Sequence, residues 1–255
     1  MLELTTVHKY FGGLHAVNNV SFKVKPGAIK AVIGPNGAGK TTLFNLIAGG
    51  LAPSSGTITF QGRPIQGLKP HRVASLGMAR TFQNIKLFHG MTALENVMLG
   101  RHIRSRCGFL AGMFNLPRTW KEEKDIRARS MELLDLLGIA RYAEVEATSL
   151  AFGQQRAVEM ARALATEPDL LLLDEPAAGL NIYETAEIGR LIGQIRDMGI
   201  TVLLVEHDMS LVMDISDEIV VLSFGEKIAE DVPEKIQRNP DVIRIYLGED
   251  EEAAA

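Results

Sequence analysis

The sequence predicts an α/β protein whose mostly parallel β-sheet is covered by helices on both faces. Three largely apolar runs, residues 170–173, 201–205 and 218–222, have the length and composition of buried strands, and segments with helical spacing separate them. A glycine-rich loop near the N-terminus also lies between a strand-like and a helix-like run. Alternation of strands and helices is typical of a parallel sheet, because each helix carries the chain back to the same edge.

The remaining elements follow a simple order along the chain. Residues 1–33 and 56–62 are expected to form short antiparallel strands, because glycine and proline turns interrupt them. Between residues 71 and 166 the apolar spacing is mainly helical. One helix in this region ends at Gly138 and buries a face that carries Ile126, Leu133, Leu134 and Leu137.

The loop Gly34, Pro35, Asn36, Gly37, Ala38, Gly39, Lys40 and Thr41 matches the phosphate-binding pattern G-x-x-x-x-G-K-[ST]. The strand-like run 29–33 precedes it, and apolar residues at helical spacing follow it. Glycines let backbone N–H groups point into one concavity, and the helix N-terminus adds its positive dipole end. The sequence therefore predicts a nucleoside triphosphate site, with Lys40 at the outer phosphates and Thr41 on Mg²⁺.

Two adjacent carboxylates end the apolar run 170–173. Asp174 and Glu175 follow it directly, and ligands bind at the carboxyl ends of parallel strands. Mg²⁺ keeps several waters and takes only one or two carboxylates, so Asp174 is expected to hold it through its water shell. Glu175 is then expected to act as the base that polarises an attacking water.

Composition narrows the class of protein. The chain has 255 residues, 23% of them charged, and its net charge of −4 gives no general basis for binding nucleic acid. Its single cysteine, Cys107, cannot form an internal disulfide, which suits a reducing compartment. Neither a secretory leader nor an apolar run of membrane-spanning length is evident, so we expect a chain that is neither secreted nor membrane-spanning by itself.

Three further motifs distinguish among the families of ATPases that share a phosphate-binding loop. They are Thr81-Phe82-Gln83, Leu150-Ala151-Phe152-Gly153-Gln154-Gln155-Arg156 and Val205-Glu206-His207-Asp208. In this order and spacing the set resembles the Q-loop, signature motif and H-loop of the ATP-binding subunits of ABC transporters, over essentially the whole chain. The resemblance implies a single ABC ATPase domain over residues 1–255, with a RecA-like P-loop core, an antiparallel β subdomain and a helical subdomain inserted at about 84–156.

The resemblance also implies roles for particular residues. ATP and Mg²⁺ are the implied cofactors, Glu175 and His207 the implied catalytic residues, and Thr41, Gln83 and Asp174 the implied metal ligands. Phe11 would stack on adenine, with Tyr10 as a weaker candidate. The implied nucleotide-binding residues are Phe11, Val17, Gly34, Pro35, Asn36, Gly37, Ala38, Gly39, Lys40, Thr41, Thr42, Gln83, Gly153, Gln154 and Asn181. Asn181 stands where the family more often has aspartate.

The signature motif departs from the common Leu-Ser-Gly-Gly-Gln at two positions, Ala151 and Phe152. Alanine cannot donate the usual hydroxyl hydrogen bond, although Gly153 and the following helix can still offer backbone N–H groups. This form of the motif, with Arg80-Thr81-Phe82-Gln83 and Tyr246-Leu247-Gly248, is similar to the LivG-type subunits of branched-chain amino acid importers. Residues 101–120 combine aromatic residues with arginines, which suits either a partner surface near anionic headgroups or extra helices packed on the chain's own core.

The resemblance implies an ATP-hydrolysing motor subunit on the cytoplasmic face of the membrane. Its partners would be a second ATPase subunit, identical or a sister, transmembrane permease subunits and, indirectly, a periplasmic or extracellular solute-binding protein. No nucleic acid partner is expected. Two alternatives stay open at this point: the ATPase of a lipid or lipopolysaccharide exporter, and a soluble ABC ATPase that acts outside transport. The solute rests on family resemblance alone.

Overall fold

A computed structural model describes residues 1–101 and 117–252, and for residues 117–121 and 247–252 it describes the backbone only. The segment 101–120, for which the sequence left two interpretations open, therefore lies almost wholly outside the residues whose side chains are described. In chain order the elements are β1 (Leu2–Phe11), β2 (Leu14–Val24), β3 (Ile29–Ile33), α1 (Lys40–Ile47), β4 (Ser55–Phe60), β5 (Arg63–Pro64), α2 (Pro70–Ser75), β6 (Met78–Arg80), α3 (Ala93–Arg101), α4 (Pro117–Leu136), α5 (Phe152–Leu164), β7 (Leu170–Asp174), α6 (Ile182–Asp197), β8 (Thr201–Val205), α7 (Met209–Ile215), β9 (Glu218–Ser223), β10 (Glu226–Asp231), α8 (Pro233–Ile236) and α9 (Pro240–Glu252).

The chain divides into two compact units. The first contains Met1–Arg80 and Asp169–Ala255, and the second contains Thr81–Pro168. The helical insertion expected at about 84–156 falls within the limits of the second unit. Its exact bounds remain a prediction.

A six-stranded sheet forms the centre of the first unit, with the order β10-β9-β3-β8-β7-β6. All of its strands run parallel except β10, which pairs antiparallel with β9. Every residue of β3, β7 and β8 is buried, as both faces of a covered parallel sheet require. The predicted α/β class and mostly parallel sheet are therefore confirmed.

A four-stranded antiparallel sheet, in the order β2-β1-β4-β5, completes the first unit. Its inward side chains and those of the parallel sheet share one apolar core, which includes Phe22, Phe44, Phe60, Leu172 and Leu203. The N-terminal strands predicted from the glycine and proline turns are thus present.

The second unit is mainly helical. Helices α3, α4 and α5 pack on one another, and two short 3₁₀ turns, Ala140–Tyr142 and Ala147–Ser149, lead into α5. Leu133, Leu134 and Leu137 are buried, as their helical spacing predicted, whereas Ile126 is only partly buried. The sequence missed three strands of the first unit: β5, β10 and the edge strand β6, which lies where helical signals were expected. The three residues of β6 are too few for a period-two pattern to show.

Candidate functional site

The glycine-rich loop joins the end of β3 to the start of α1, as predicted. Gly34 and Gly39 have φ angles of 149° and 97°. A Cβ atom on Gly34 would lie 2.1 Å from the carbonyl oxygen of Leu222, and one on Gly39 would lie 2.4 Å from that of Ala16. Because both positions combine positive φ with contact against backbone, a side chain there would displace the loop.

Lys40 begins α1 and is almost fully buried. Its ammonium donates hydrogen bonds to the carbonyl oxygens of Gly34, at 2.6 Å, and Pro35, at 2.8 Å. The charge is thus held against the loop itself, next to the N-terminal amides of α1. Thr41 and Thr42 follow in the first turn, where Thr41 is exposed.

Strand register brings the acidic residues to the same sheet edge as this loop. Val205 of β8 lies level with Val32 of β3 on one side and with Asp174 of β7 on the other. The loop that follows β3 and the carboxylate that ends β7 therefore flank the end of β8. This is the edge at which parallel sheets bind ligands.

Asp174 is buried and forms an ion pair with Arg80, whose Nη2 lies 2.8 Å from Oδ2. Thr41 and Asp174 offer a hydroxyl and a carboxylate, and hard oxygen donors of this kind are what Mg²⁺ prefers. No group of three or more histidine, cysteine, aspartate or glutamate side chains suited to a metal occurs in the described part of the chain. Mg²⁺ does not need one, since it commonly takes one carboxylate together with nucleotide phosphates and water.

Glu175 adopts an unusual backbone conformation for a non-glycine residue, with φ of 49°. Its N–H donates to the carbonyl oxygen of Val205 at 2.9 Å, which anchors the turn to β8. The Nε2 atom of His207 lies 3.0 Å from Glu175 Oε1. An ionised carboxylate can only accept, so the pair is satisfied when His207 carries its proton on Nε2. Strained residues of this kind are concentrated at functional sites.

Glu206 is a buried residue that the sequence reasoning did not single out. Its Oε1 accepts a 2.7 Å hydrogen bond from the N–H of Ala177, and its Oε2 accepts one of 3.0 Å from the N–H of His207. One carboxylate thus joins the turn after Glu175 to the turn that carries His207. Burial raises the pKa of Glu206 above its usual range, and the backbone hydrogen bonds oppose that shift in part. A charged residue directly after the fully buried strand β8 was the available signal.

Asn181 caps α6. Its Oδ1 accepts hydrogen bonds from the N–H groups of Tyr183 and Glu184, at 2.9 and 3.1 Å, while Glu184 Oε2 accepts one from the N–H of Asn181 at 2.9 Å. This is a reciprocal capping box. Ile182 and Tyr183 project from it and are 86% and 87% exposed. The Asn181 side chain is therefore engaged within its own helix, and its predicted contact with nucleotide stays a prediction.

The candidate adenine residues occupy different environments. Phe11 ends β1 and is exposed, with Lys9 Nζ 5.1 Å from its ring centroid. Tyr10 is also exposed but stacks on His15 with ring centroids 3.9 Å apart. Val17 is buried in the apolar core. Each ring thus has a neighbour on one face, Lys9 for Phe11 and His15 for Tyr10.

In the second unit, an ion pair supports the segment that contains Gln83. Arg156 and Glu159 of α5 are both buried, with Nη1 and Oε2 3.1 Å apart. Arg156 donates to the carbonyl oxygens of Phe82 and Gln83, at 2.8 and 3.1 Å, and leaves the Gln83 side chain exposed. Burial raises the pKa of Glu159, and the charge of Arg156 opposes the shift. The sequence reasoning did not predict this pair.

The signature segment forms the start of α5. Phe152 is exposed, and Ala151, at the N-cap, has no side-chain acceptor for the helix amides. Gln154 Oε1 instead accepts a 3.2 Å hydrogen bond from the N–H of Ala151, so only half of a capping box is present. Gly153 and Gln154 lie in the first turn and are partly exposed.

Among the described residues, no helix is both long and apolar enough to cross a bilayer.

Comparison with known proteins identifies the class. Residues 17–178 match the family model for ABC transporters, and residues 226–252 match that for the branched-chain amino acid ATP-binding cassette transporter. The chain belongs to the ABC transporter family as an ATP-binding subunit. As an ABC ATPase it is an enzyme that hydrolyses ATP, which confirms the predicted family, fold and activity.

Particular relatives are similar over nearly their whole length. The high-affinity branched-chain amino acid transport ATP-binding proteins BraF of Pseudomonas aeruginosa and LivG of Escherichia coli K12 are 46% and 43% identical, and each match covers 98% of both chains. The crystal structure of the ADP conformation of the ATP-binding cassette MJ1267 has a TM-score of 0.83 at 33% identity and covers 97% of this chain and 98% of its own. The dimeric post-hydrolysis structure of the cassette MJ0796, bound to ADP and Pi, has a TM-score of 0.78 at 28% identity and covers 91% and 99%.

These relatives support three coarser statements. ABC ATPases bind nucleotide, their cassettes dimerise, and the importer subunits work with membrane permeases. The LivG-type resemblance seen in the sequence is confirmed.

Proposed function

We propose that the chain is the ATP-hydrolysing motor of an importer for branched-chain or other hydrophobic amino acids. The observation that carries the hydrolytic part is the Glu175–His207 pair, which lies at the sheet edge shared with the glycine-rich loop. The names of the 43–46% identical relatives and the match at residues 226–252 support the solute class. Among the alternatives considered from the sequence, they favour import over lipid export.

ATP would bind with its phosphates on the glycine-rich loop. The backbone N–H groups and the N-terminus of α1 form an anion site, and Lys40 is already aimed into the loop. On binding, its ammonium would exchange the carbonyl oxygens of Gly34 and Pro35 for phosphate oxygens. The exposed ring of Phe11 would stack on adenine.

Thr41 and Asp174 would hold Mg²⁺, with Gln83 as a further ligand implied by resemblance. When bound, the ion supplies positive charge that stabilises the oxygens of the transferred phosphoryl group. Glu175 would accept a hydrogen bond from the attacking water and take its proton at the carboxylate. His207 would keep that carboxylate oriented through its Nε2–H, so that the water is held in line with the γ-phosphate.

The working unit would contain two such subunits, identical or one of them a sister ATPase. They would act on permease subunits from the cytoplasmic face of the membrane. A periplasmic or extracellular solute-binding protein would deliver the amino acid. Gly153, Gln154 and Asn181 would then face the nucleotide of the opposite subunit.

The test is uptake of radiolabelled leucine, isoleucine and valine in cells that lack this chain. Reintroduced wild type should restore uptake, and Glu175→Gln should not. Glu234→Gln, an exposed glutamate of α8 with the same change of charge, is the control and should restore it. Restored uptake by Glu175→Gln, or uptake that never depended on the chain, would contradict the proposal.

A further inference from the structure

Arg80 joins the carboxylate of Asp174 to helix α1. Its Nη2 lies 2.8 Å from Asp174 Oδ2, and its Nη1 donates a 2.7 Å hydrogen bond to Asn45 Oδ1. The guanidinium carbon lies 6.0 Å from the centroid of the Phe44 ring. The side chains of Arg80 and Asp174 are only 14% and 6% exposed, so the ion pair is largely withdrawn from water.

The positions of these residues follow from the sheet. Arg80 is the last residue of β6 and lies level with Leu172 of β7. Asp174 ends β7 two residues further on. Asn45 and Phe44 lie on α1, the helix that begins with Lys40 and Thr41. Arg80 therefore connects the two elements that carry the proposed oxygen ligands of Mg²⁺, Thr41 and Asp174.

A guanidinium suits this connection better than an ammonium would. Its planar fork directs separate N–H groups at Asp174 and Asn45 at once, and it keeps its charge when buried. A permanent positive charge beside Asp174 also opposes the approach of a second cation, and this effect is strong where water is scarce. It orients the carboxylate and reduces its attraction for a divalent ion.

We propose that Arg80 is a positioning residue that orients Asp174 and suppresses binding of Mg²⁺ in the absence of nucleotide, an inference that rests on the proposed function. The phosphates of ATP bring enough negative charge to offset the guanidinium. The metal ion therefore enters with the nucleotide rather than ahead of it. Arg80 touches neither phosphate nor metal in this scheme and acts through Asp174.

The test measures binding of Mn²⁺, as a spectroscopic substitute for Mg²⁺, to nucleotide-free protein by electron paramagnetic resonance. Arg80→Met and Arg80→Gln both remove the charge, and each should bind Mn²⁺ at least about tenfold more tightly than wild type. Arg80→Lys keeps the charge and should stay within about threefold of wild type. Arg72→Met, an exposed arginine of α2, controls for general charge effects and should leave Mn²⁺ binding unchanged.

Two further measurements distinguish failure of the Arg80 proposal from loss of the folded nucleotide site. Asp174→Asn added to Arg80→Gln should abolish the tighter Mn²⁺ binding, which assigns it to this carboxylate. ATP binding in EDTA shows whether each variant retains a folded loop. Wild-type Mn²⁺ affinity in a variant that lacks the charge and still binds ATP would overturn the role of Arg80 and leave the motor function intact. Loss of all ATP binding in wild type would instead remove the proposed function.

Discussion

The Nε2 atom of His207 lies 3.0 Å from the Oε1 atom of Glu175, although the two residues are 32 positions apart in the sequence. Adjacent strands β7 and β8 deliver them to the same edge of the sheet. The backbone N–H of Glu175 donates to the carbonyl oxygen of Val205, and that of His207 donates to the carboxylate of Glu206. These bonds fix the two turns, and the contact between the side chains sets their orientation relative to each other.

Replacing Glu175 with glutamine should slow hydrolysis while preserving binding. The amide keeps the shape of the carboxylate but cannot accept a proton, so steady-state ATP turnover should fall at least about tenfold. The variant should also run as an ATP-dependent dimer on a sizing column, because the closed state can form but not react. Glu234→Gln should match wild type in both measurements. Unchanged turnover in Glu175→Gln would remove this residue from the catalytic role.

Replacing Lys40 with alanine should weaken ATP binding. The ammonium lies against the carbonyl oxygens of Gly34 and Pro35, where it is ready for the outer phosphates. Hydrogen bonds to charged groups contribute about 1.5–3 kcal/mol each, so the Kd for ATP should rise at least about tenfold. Equilibrium titration with ATP measures this, and Lys69→Ala, at an exposed position before α2, is the control. Normal ATP affinity in Lys40→Ala would contradict the phosphate-site assignment.

Glu206 should make stability depend on pH. Burial raises its pKa in the folded chain, so the folded state binds the proton more tightly than the unfolded state. Its contribution to the free energy of unfolding is fully present below the ordinary glutamate pKa and is lost as pH rises through the folded value. Glu206→Gln cannot titrate. The stability of wild type relative to this variant should therefore decrease with rising pH.

Urea unfolding of wild type and Glu206→Gln from about pH 4 to about pH 8 would measure this trend. Glu234→Gln, whose side chain is exposed, should show no comparable change relative to wild type. A relative stability that rises with pH would mean that the backbone hydrogen bonds to Glu206 outweigh its burial.

The Arg156–Glu159 pair should be strongly coupled. Arg156→Met or Glu159→Gln leaves a buried group without its charged partner, and each should reduce the free energy of unfolding by about 3–5 kcal/mol. The double variant should lose clearly less than the sum of the two. Arg129 and Glu132, an exposed pair at the same i,i+3 spacing, are the matched control, and their coupling should stay below about 1 kcal/mol. Additive losses at Arg156 and Glu159 would show that their contact contributes little.

The parts of the site that the sequence could predict are short and contiguous. The roles of the glycine-rich loop, Asp174 and Glu175 can be predicted from the residues next to them in the chain. Parallel strands then place all three at one edge of the sheet. His207 required the resemblance, since a lone histidine at a strand end has no chemical signature. The fold class followed from largely apolar strands that alternate with helices.

Other features depend on partners that are distant in sequence. Arg80 and Asp174 are 94 residues apart, and Arg156 is more than 70 residues from the carbonyl oxygens it binds. The role of Glu206 depends on its hydrogen bond with the N–H of Ala177, a residue 29 positions away in the sequence. Buried charges of this kind are determined by tertiary packing, which local pattern does not encode.

The capping box at Asn181 has a consequence for association. Ile182 and Tyr183 project into solvent from a helix start that is fixed by reciprocal hydrogen bonds. A partner that docks on these two side chains meets backbone that is already ordered, so it loses little conformational entropy there on binding. A flexible turn with the same two side chains would bind more weakly at equal contact area, because its backbone would have to be ordered on binding. In such an encounter the asparagine would contribute to affinity by fixing the backbone beneath the two exposed side chains.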